Sequence, residues 1–341
     1  MSLDPARRAG LERARAAAIA RDHFDLDAEL DSVSVDAAPF GVVVASSDDP
    51  PSGGRAVVVS SGEELSVLGG VLVWLDRNEV ASADFVTEHH AGVHARRAAL
   101  LAPDLCVHGL ESGRVASASP ASIAAPQPTA DDIAPLVAMI ERSGAQAVIE
   151  DGIVRAEVAG LEVGRVVDGP AGSVLEVGVG RFDREAGVLL YADRPVEPTL
   201  VDTIEQVRGH RSPGAPLHAV NRIGRERWLR EVVRRSPESA GVTDVELIEP
   251  IPPRTSLLEP TAAALLGHDG AASVLVVCSV GVELGLIPAT ADLVARHTPD
   301  EVRFVLPARD RLPYLERLVA RLRVPVSFAD VEVPWADGPP G

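Results

Sequence analysis

The chain of 341 residues contains no lysine, so all 32 of its basic residues are arginine. That absence removes any chemistry that would draw a lysine from this chain: a P-loop lysine beneath a nucleotide, a Schiff base, or the phosphate-binding lysine of a kinase. Cysteine occurs only twice, as Cys106 and Cys278. Each follows aliphatic residues, in DLCVH and VLVVCS, where a small buried thiol fits; two distant cysteines make no disulfide framework, and a reducing compartment is expected. No uninterrupted apolar run reaches the roughly 18 residues that a membrane helix needs. The first turns carry Asp4 and Glu12 among arginines and lack the apolar core of a secretory signal, so a cytoplasmic location and no membrane partner are expected.

What is present is a soluble globular composition, 46% hydrophobic and 24% charged. The net charge of −18 makes the average surface repel polyanions, so any nucleic-acid contact needs a local basic patch. Alanine in quantity with arginine as the only strong base is the composition of a high-GC bacterial gene. At roughly 100–200 residues per domain, two or three domains are expected.

Periodicity divides the chain. Asp4-Pro5 opens a helix of good formers through Phe24, and residues 25–54 leave room for one short strand, Val42–Ala45. Residues 1–54 are thus an N-terminal helix and an irregular segment. From 55 to 115 the strands AVVVSS, EVASADFVTE and DLCVHGL alternate with two helical stretches, the pattern of a parallel, Rossmann-like α/β unit. Residues 116–130, small and proline-containing, read as a linker. Residues 131–236 form an α+β unit: a helix, the strand segments QAVIED, IVRAEVA, LEVGRVVD and SVLEVGVGRF, a helix from DREAGVLLY, then helices near 199–207 and 223–235. Proline recurs through 237–261, a second linker. Residues 262–335 repeat the α/β alternation, and 336–341 read as a disordered tail. Val57–Leu65 (VVVSSGEEL) resembles Val276–Leu284 (VVCSVGVEL), which suggests either a duplicated unit or convergence of βαβ patterns.

Four segments contain groups capable of chemistry. In LEVGVGRFDRE, alternate residues share a strand face, so Glu162 or Glu157 on neighbouring strands can meet Glu176 and hold a hard cation such as Mg2+. The helix, acidic meander, E-x-x strand and second helix over about residues 131–192 resemble the PD-(D/E)XK nuclease fold. That resemblance implies metal-dependent phosphodiester hydrolysis, with Glu162 and Glu176 as catalytic metal ligands. The family's catalytic lysine falls at Gly178, and Arg181 is the group left to stabilise charge on the phosphorane, since arginine is no general base at neutral pH. The other reading makes Glu162, Glu176 and Asp183 solvent-facing residues paired with Arg165, Arg181 and Arg184.

The second segment, Arg208–Arg235, carries eight arginines against Glu226 and Glu231. Arg227, Arg230 and Arg234 recur at helical spacing, with Trp228 and Leu229 free to face a core; with Arg211, Arg222 and the loop groups His210, His218 and Asn221 they can grip phosphates. The alternative is that these arginines pair with acidic groups of this protein or of another subunit. In the third segment, His90 and His94 stand four apart, the spacing at which two helical imidazoles can share a metal, without the glutamate of an H-E-x-x-H site. In the fourth, the turns at Ser61-Gly62-Glu63 and Ser279–Glu283 follow strands but lack the glycines of a dinucleotide fingerprint, and nothing indicates NAD, FAD, PLP or haem.

Three functions follow as expectations. The first is binding of nucleic acid or polyphosphate, with Mg2+-dependent hydrolysis as its stronger form. The second is a non-enzymatic interaction or regulatory protein with a protein partner or a second copy of itself. The third is a Rossmann-like enzyme acting on a nucleotide or metabolite.

Overall fold

A computed structural model describes residues 4–27, 32–46, 54–80, 82–102, 104–190, 194–212, 214–216, 218–254, 256–258 and 261–335. Among them lie 15 strands in three separate sheets and nine α-helices, a mixed α/β protein. The expected tail at 336–341 falls outside the described residues. No helix among the described residues is long and apolar enough to cross a membrane. Contacts divide the chain into two compact units: Met1–Ile123 with Leu284–Thr298 and Leu312–Pro325, and Ala124–Glu283 with Pro299–Arg311 and Val326–Gly341.

In the first unit, α1 (Pro5–Phe24) starts with proline at its first position, where the missing N–H costs nothing, and stops at Asp25 in the left-handed region. The strands β1 (Val33–Ala38), β2 (Gly41–Ser46), β3 (Arg55–Ser60), β4 (Ser82–Thr87), β5 (Leu105–Glu111) and β6 (Arg114–Ser117) lie in that order in one sheet. β3, β4 and β5 are parallel, with α2 (Val67–Arg77) and α3 (Ala91–Ala98) between them in sequence, and the outer pairs are antiparallel. The expectation of a single strand between 25 and 54 is corrected. VSVDAA is a second strand, and its polar residues and half-exposed edge position hid it from a search for apolar runs.

Ala16, Ile19, Ala20 and Phe24 of α1 pack on Val42, Val44, Val57, Val59 and Val86. The helices α8 (Leu286–His297) and α9 (Pro313–Val319) belong to this unit, against α2 and α3. Asp292 of α8, 1% exposed, accepts from Arg96 Nε at 3.0 Å and from Arg97 Nε at 2.9 Å, and Arg97 Nη1 donates to Leu65 O at 2.6 Å. His90 is a helix cap in the left-handed region, while His94 is buried against Phe85 at 5.3 Å between ring centroids, so the i,i+4 pair is not presented together on an open helix face. Burial, with help from Arg97, pushes the His94 pKa down to about 4.

The second unit begins with α4 (Ala134–Arg142) and an antiparallel meander, β7 (Gln146–Glu150), β8 (Ile153–Val158), β9 (Leu161–Gly169) and β10 (Gly172–Val177). After α5 (Gly180–Leu190), α6 (Val196–His210) and α7 (Arg225–Arg235) comes a five-stranded sheet, β11 (Thr243–Ile248), β12 (Ala263–Asp269), β13 (Ala272–Cys278), β14 (Glu301–Val305) and β15 (Val326–Ala329). β11 lies inside the stretch read as a proline linker, because prolines flank the strand without entering it. In this sheet β13, β14 and β15 are parallel behind an antiparallel β11–β12 pair. That is the order and direction of β1 to β5, with the two similar segments both starting in the third strand.

Removing Asp292 leaves two guanidinium groups without their carboxylate, one of them fully buried. The expected cost of Asp292→Ala is about 3–5 kcal/mol, measured by urea unfolding; a loss below about 1 kcal/mol contradicts this role.

Candidate functional site

The meander has two faces of opposite character. Val154, Ala156, Val158, Leu161, Val163 and Leu175 pack with Ile140 of α4 and with Leu200, Ile204 and Val207 of α6. Strand alternation sends Arg155, Glu157 and Glu162 to the other face, and Glu150 joins them from β7. This charged face is buried: the side chains of Glu150, Glu157 and Glu162 and of Arg155, Arg184, Arg227, Arg230 and Arg254 are each at most 7% exposed.

Glu162 is the most enclosed. Its Oε1 accepts from Arg184 Nη1 at 2.7 Å and Arg165 Nε at 3.0 Å, and its Oε2 from Arg155 Nη1 at 2.8 Å and Arg165 Nη2 at 3.2 Å. Burial pushes its pKa up, but the Arg165 hydrogen bonds and the Arg155 and Arg165 charges outweigh this and hold the carboxyl below its ordinary value. Glu157 accepts from Arg230 Nη2 at 2.8 Å. Here burial wins, pushing the pKa up to about 7 against the pull of Arg230. Glu150 Oε2 accepts from Arg254 Nε at 2.9 Å and lies 3.0 Å from Arg155 Nε.

Helix α7 covers this face because its own two faces differ. Arg227 Nε donates to Gly160 O at 2.8 Å and Arg230 reaches Glu157, while Trp228, Leu229 and Val233 pack with Leu265, Val274 and Val276 of the five-stranded sheet. Gly160, at φ +74°, closes the β8–β9 turn directly under α7; an added Cβ would stand 2.3 Å from the Arg227 carbonyl carbon. Arg211 stacks on Trp228 at 4.8 Å and donates to Ala159 O at 2.7 Å, Val220 O at 3.0 Å and Ile223 O, and burial pushes its pKa down to about 10.

The residues singled out in the sequence therefore separate. Glu162 and Glu176 are linked through a cation, since Arg184 donates to Glu162 and lies 3.9 Å from Glu176 Oε2. Glu176 stands opposite Arg165 in the β9–β10 register. Glu162 is not the solvent-facing residue of the alternative reading, being fully buried. Arg181 lies away from both, exposed, and donates to Glu185 at 2.6 Å. Arg211, Arg227 and Arg230 turn inward to carbonyls and carboxylates, Arg234 donates to Glu231 at 2.6 Å, and Arg222 is exposed. Asn221 is buried, whereas His210 and His218 stack at 3.9 Å and line a cavity of about 360 Å3 with Asp183, Thr199 and Asp202. Among the described residues, no group of three or more His, Cys, Asp or Glu side chains could hold a metal ion.

A second cavity, of about 300 Å3, is lined by Arg208 of α6 and Arg234 and Arg235 of α7, with Gln146, Glu141 and Glu231 among the other walls. Glu231 is held by both neighbours, Arg235 Nε donating at 2.7 Å. Arg208 Nη2 donates to Gly144 O at 2.5 Å. Comparisons with protein-family models, curated proteins and solved structures find no match to this chain.

The Glu157 shift has a defined sign. Its carboxyl takes up a proton more readily folded, near pH 7, than at its ordinary 4.5. Its contribution to stability is full below the ordinary value and declines as pH rises through the folded one. Unfolding of wild type and Glu157→Gln from pH 5 to 8 should show wild type losing stability relative to the variant. A difference independent of pH, or moving the other way, contradicts burial as the dominant influence.

Proposed function

We propose that the second unit binds a phosphorylated ligand, with a nucleotide or a short nucleic acid as the class, in the cavity rimmed by Arg208, Arg234 and Arg235. The observation that carries this reading is the meeting of three arginines from α6 and α7 around one cavity in a chain of net charge −18. Guanidinium forks suit phosphate oxygens, and the volume is at the lower end for small-molecule sites. Glu141 and Gln146 in the wall offer acceptors to hydroxyl or amino groups elsewhere on the ligand. The phosphate contacts thus move from Arg211, Arg227 and Arg230 to the outward arginines, with Arg234 common to both sets and Arg222 an exposed outlying contact.

Binding is favoured over Mg2+-dependent hydrolysis at Glu162 and Glu176 because arginines, not solvent, surround both oxygens of Glu162. The PD-(D/E)XK likeness is retained only as helix, meander and helix. A Rossmann-like reading of the β3–β5 and β13–β15 layers draws support from their parallel order with helices between. A cytoplasmic site of action fits a nucleotide ligand and free cysteines.

The test is equilibrium binding of nucleoside triphosphates and a labelled oligonucleotide at 50 and 200 mM salt. Arg208→Ala and Arg235→Ala should each weaken binding about ten-fold, roughly 1.4 kcal/mol, with melting near that of wild type. Affinity should fall as salt rises, through counterion release on the oligonucleotide. Binding that is absent at low salt, or indifferent to both substitutions, refutes the proposal.

A further inference from the structure

Among the described residues, the buried charges of the second unit do not balance. Arg155, Arg184, Arg227, Arg230 and Arg254 face Glu150, Glu157 and Glu162, five cations against three carboxylates, an excess of two positive charges. Adding the other buried charges of the unit, Arg211, Glu226 and Glu231, leaves six cations against five carboxylates, an excess of one positive charge. Uncompensated charge away from water is costly, and the usual remedy is an ion of opposite sign.

Two further observations give that ion a place. A small cavity of about 10 Å3 is lined by Arg227, Arg230 and Arg254, together with Glu150, Ile248 and Thr261. The same three arginines each carry a buried nitrogen without a hydrogen-bond partner among the described residues: Arg227 Nη2, Arg230 Nε and Arg254 Nη1. The one carboxylate among the described wall residues is already engaged, with Glu150 Oε2 contacted by Arg155 and by Arg254 at 2.8 Å.

We propose that Arg227, Arg230 and Arg254 hold a single-atom anion, a halide such as chloride, in this cavity. The small volume suits a single-atom guest better than a phosphate or carboxylate. Charge distinguishes it from water, which satisfies N–H groups but offsets no excess cation. A halide has no fixed lone-pair directions and accepts from several N–H groups at once, which suits three guanidinium edges approaching from α7 and from the segment before β12. The site shares no residue with the 300 Å3 cavity, so failure of nucleotide binding leaves it untouched.

The experiment is urea unfolding of the full chain at constant ionic strength, with chloride replaced stepwise by gluconate, which is too large for the cavity. Chloride at 100 times its dissociation constant should raise the folded-to-unfolded ratio about 100-fold. Arg254→Gln, which removes one charge from the wall, should reduce that effect at least ten-fold. Because that substitution also breaks the Arg254–Glu150 ion pair, wild-type crystals soaked in sodium bromide supply a second readout, an anomalous bromine peak between the three arginines. Superimposable curves in chloride and gluconate, or an ordered water in the cavity with no anomalous signal, overturn the proposal.

Discussion

Three carboxylates on one face of a β-meander cannot remain charged in a protein interior unless cations are brought to them, and the second unit is organised around that requirement. The cations come from distant parts of the sequence: Arg155 from β8 itself, Arg184 from α5, Arg230 from α7 and Arg254 from the segment before β12. A hydrophobic face of equal area would bind α7 as well or better, since buried ion pairs often contribute less than the apolar contacts that can replace them. What charges add is a preferred register. Arg230 reaches Glu157 in one pose of the helix, while Gly160 lets the backbone of α7 approach the β8–β9 turn.

The same arrangement decides which arginines are available to a ligand. Arg227 and Arg230, the strongest helical stripe in the sequence, are spent on the meander, and Arg211 is spent on carbonyl oxygens and the Trp228 ring. Outward-facing arginines of this cluster are left at the ends of α6 and α7, where Arg208 and Arg235 stand, and at the exposed Arg222. The cluster of eight arginines in an acidic chain is thus partly an internal counter-charge and partly a surface. A helix whose one face is ionic and whose other face is Trp228, Leu229 and Val233 joins two sheets of one unit without exposing either face.

Much of the architecture was legible because it rests on local periodicity. The four meander strands, the parallel runs at β3–β5 and β13–β15, and the helices between them follow from alternation and apolar runs in the chain. β1, β6, β11 and β12 were missed, the first three because edge strands with polar residues give little apolar signal. The charged face of the meander left a trace in IVRAEVA, where Arg155 and Glu157 alternate with Val154, Ala156 and Val158. Its burial was not legible, because whether a polar strand face meets water or a helix depends on contacts across 70 residues or more, as between Glu157 and Arg230. Arg254 had no signal at all, standing in a proline-rich stretch with no period. Likewise, the i,i+4 spacing of His90 and His94 says nothing of the left-handed cap that separates them.

The inward arginine Arg230 of α7 is bound to the meander carboxylate Glu157 as part of the fold. A double-mutant cycle with Glu157→Gln and Arg230→Met, followed by urea unfolding at pH 8 where Glu157 is ionised, measures that bond directly. The predicted coupling is at least about 2 kcal/mol, within the range for close buried charge pairs. A coupling below about 0.5 kcal/mol, with both single variants folded, would mean that α7 does not depend on this pair for its position and that Arg230 is free for another role.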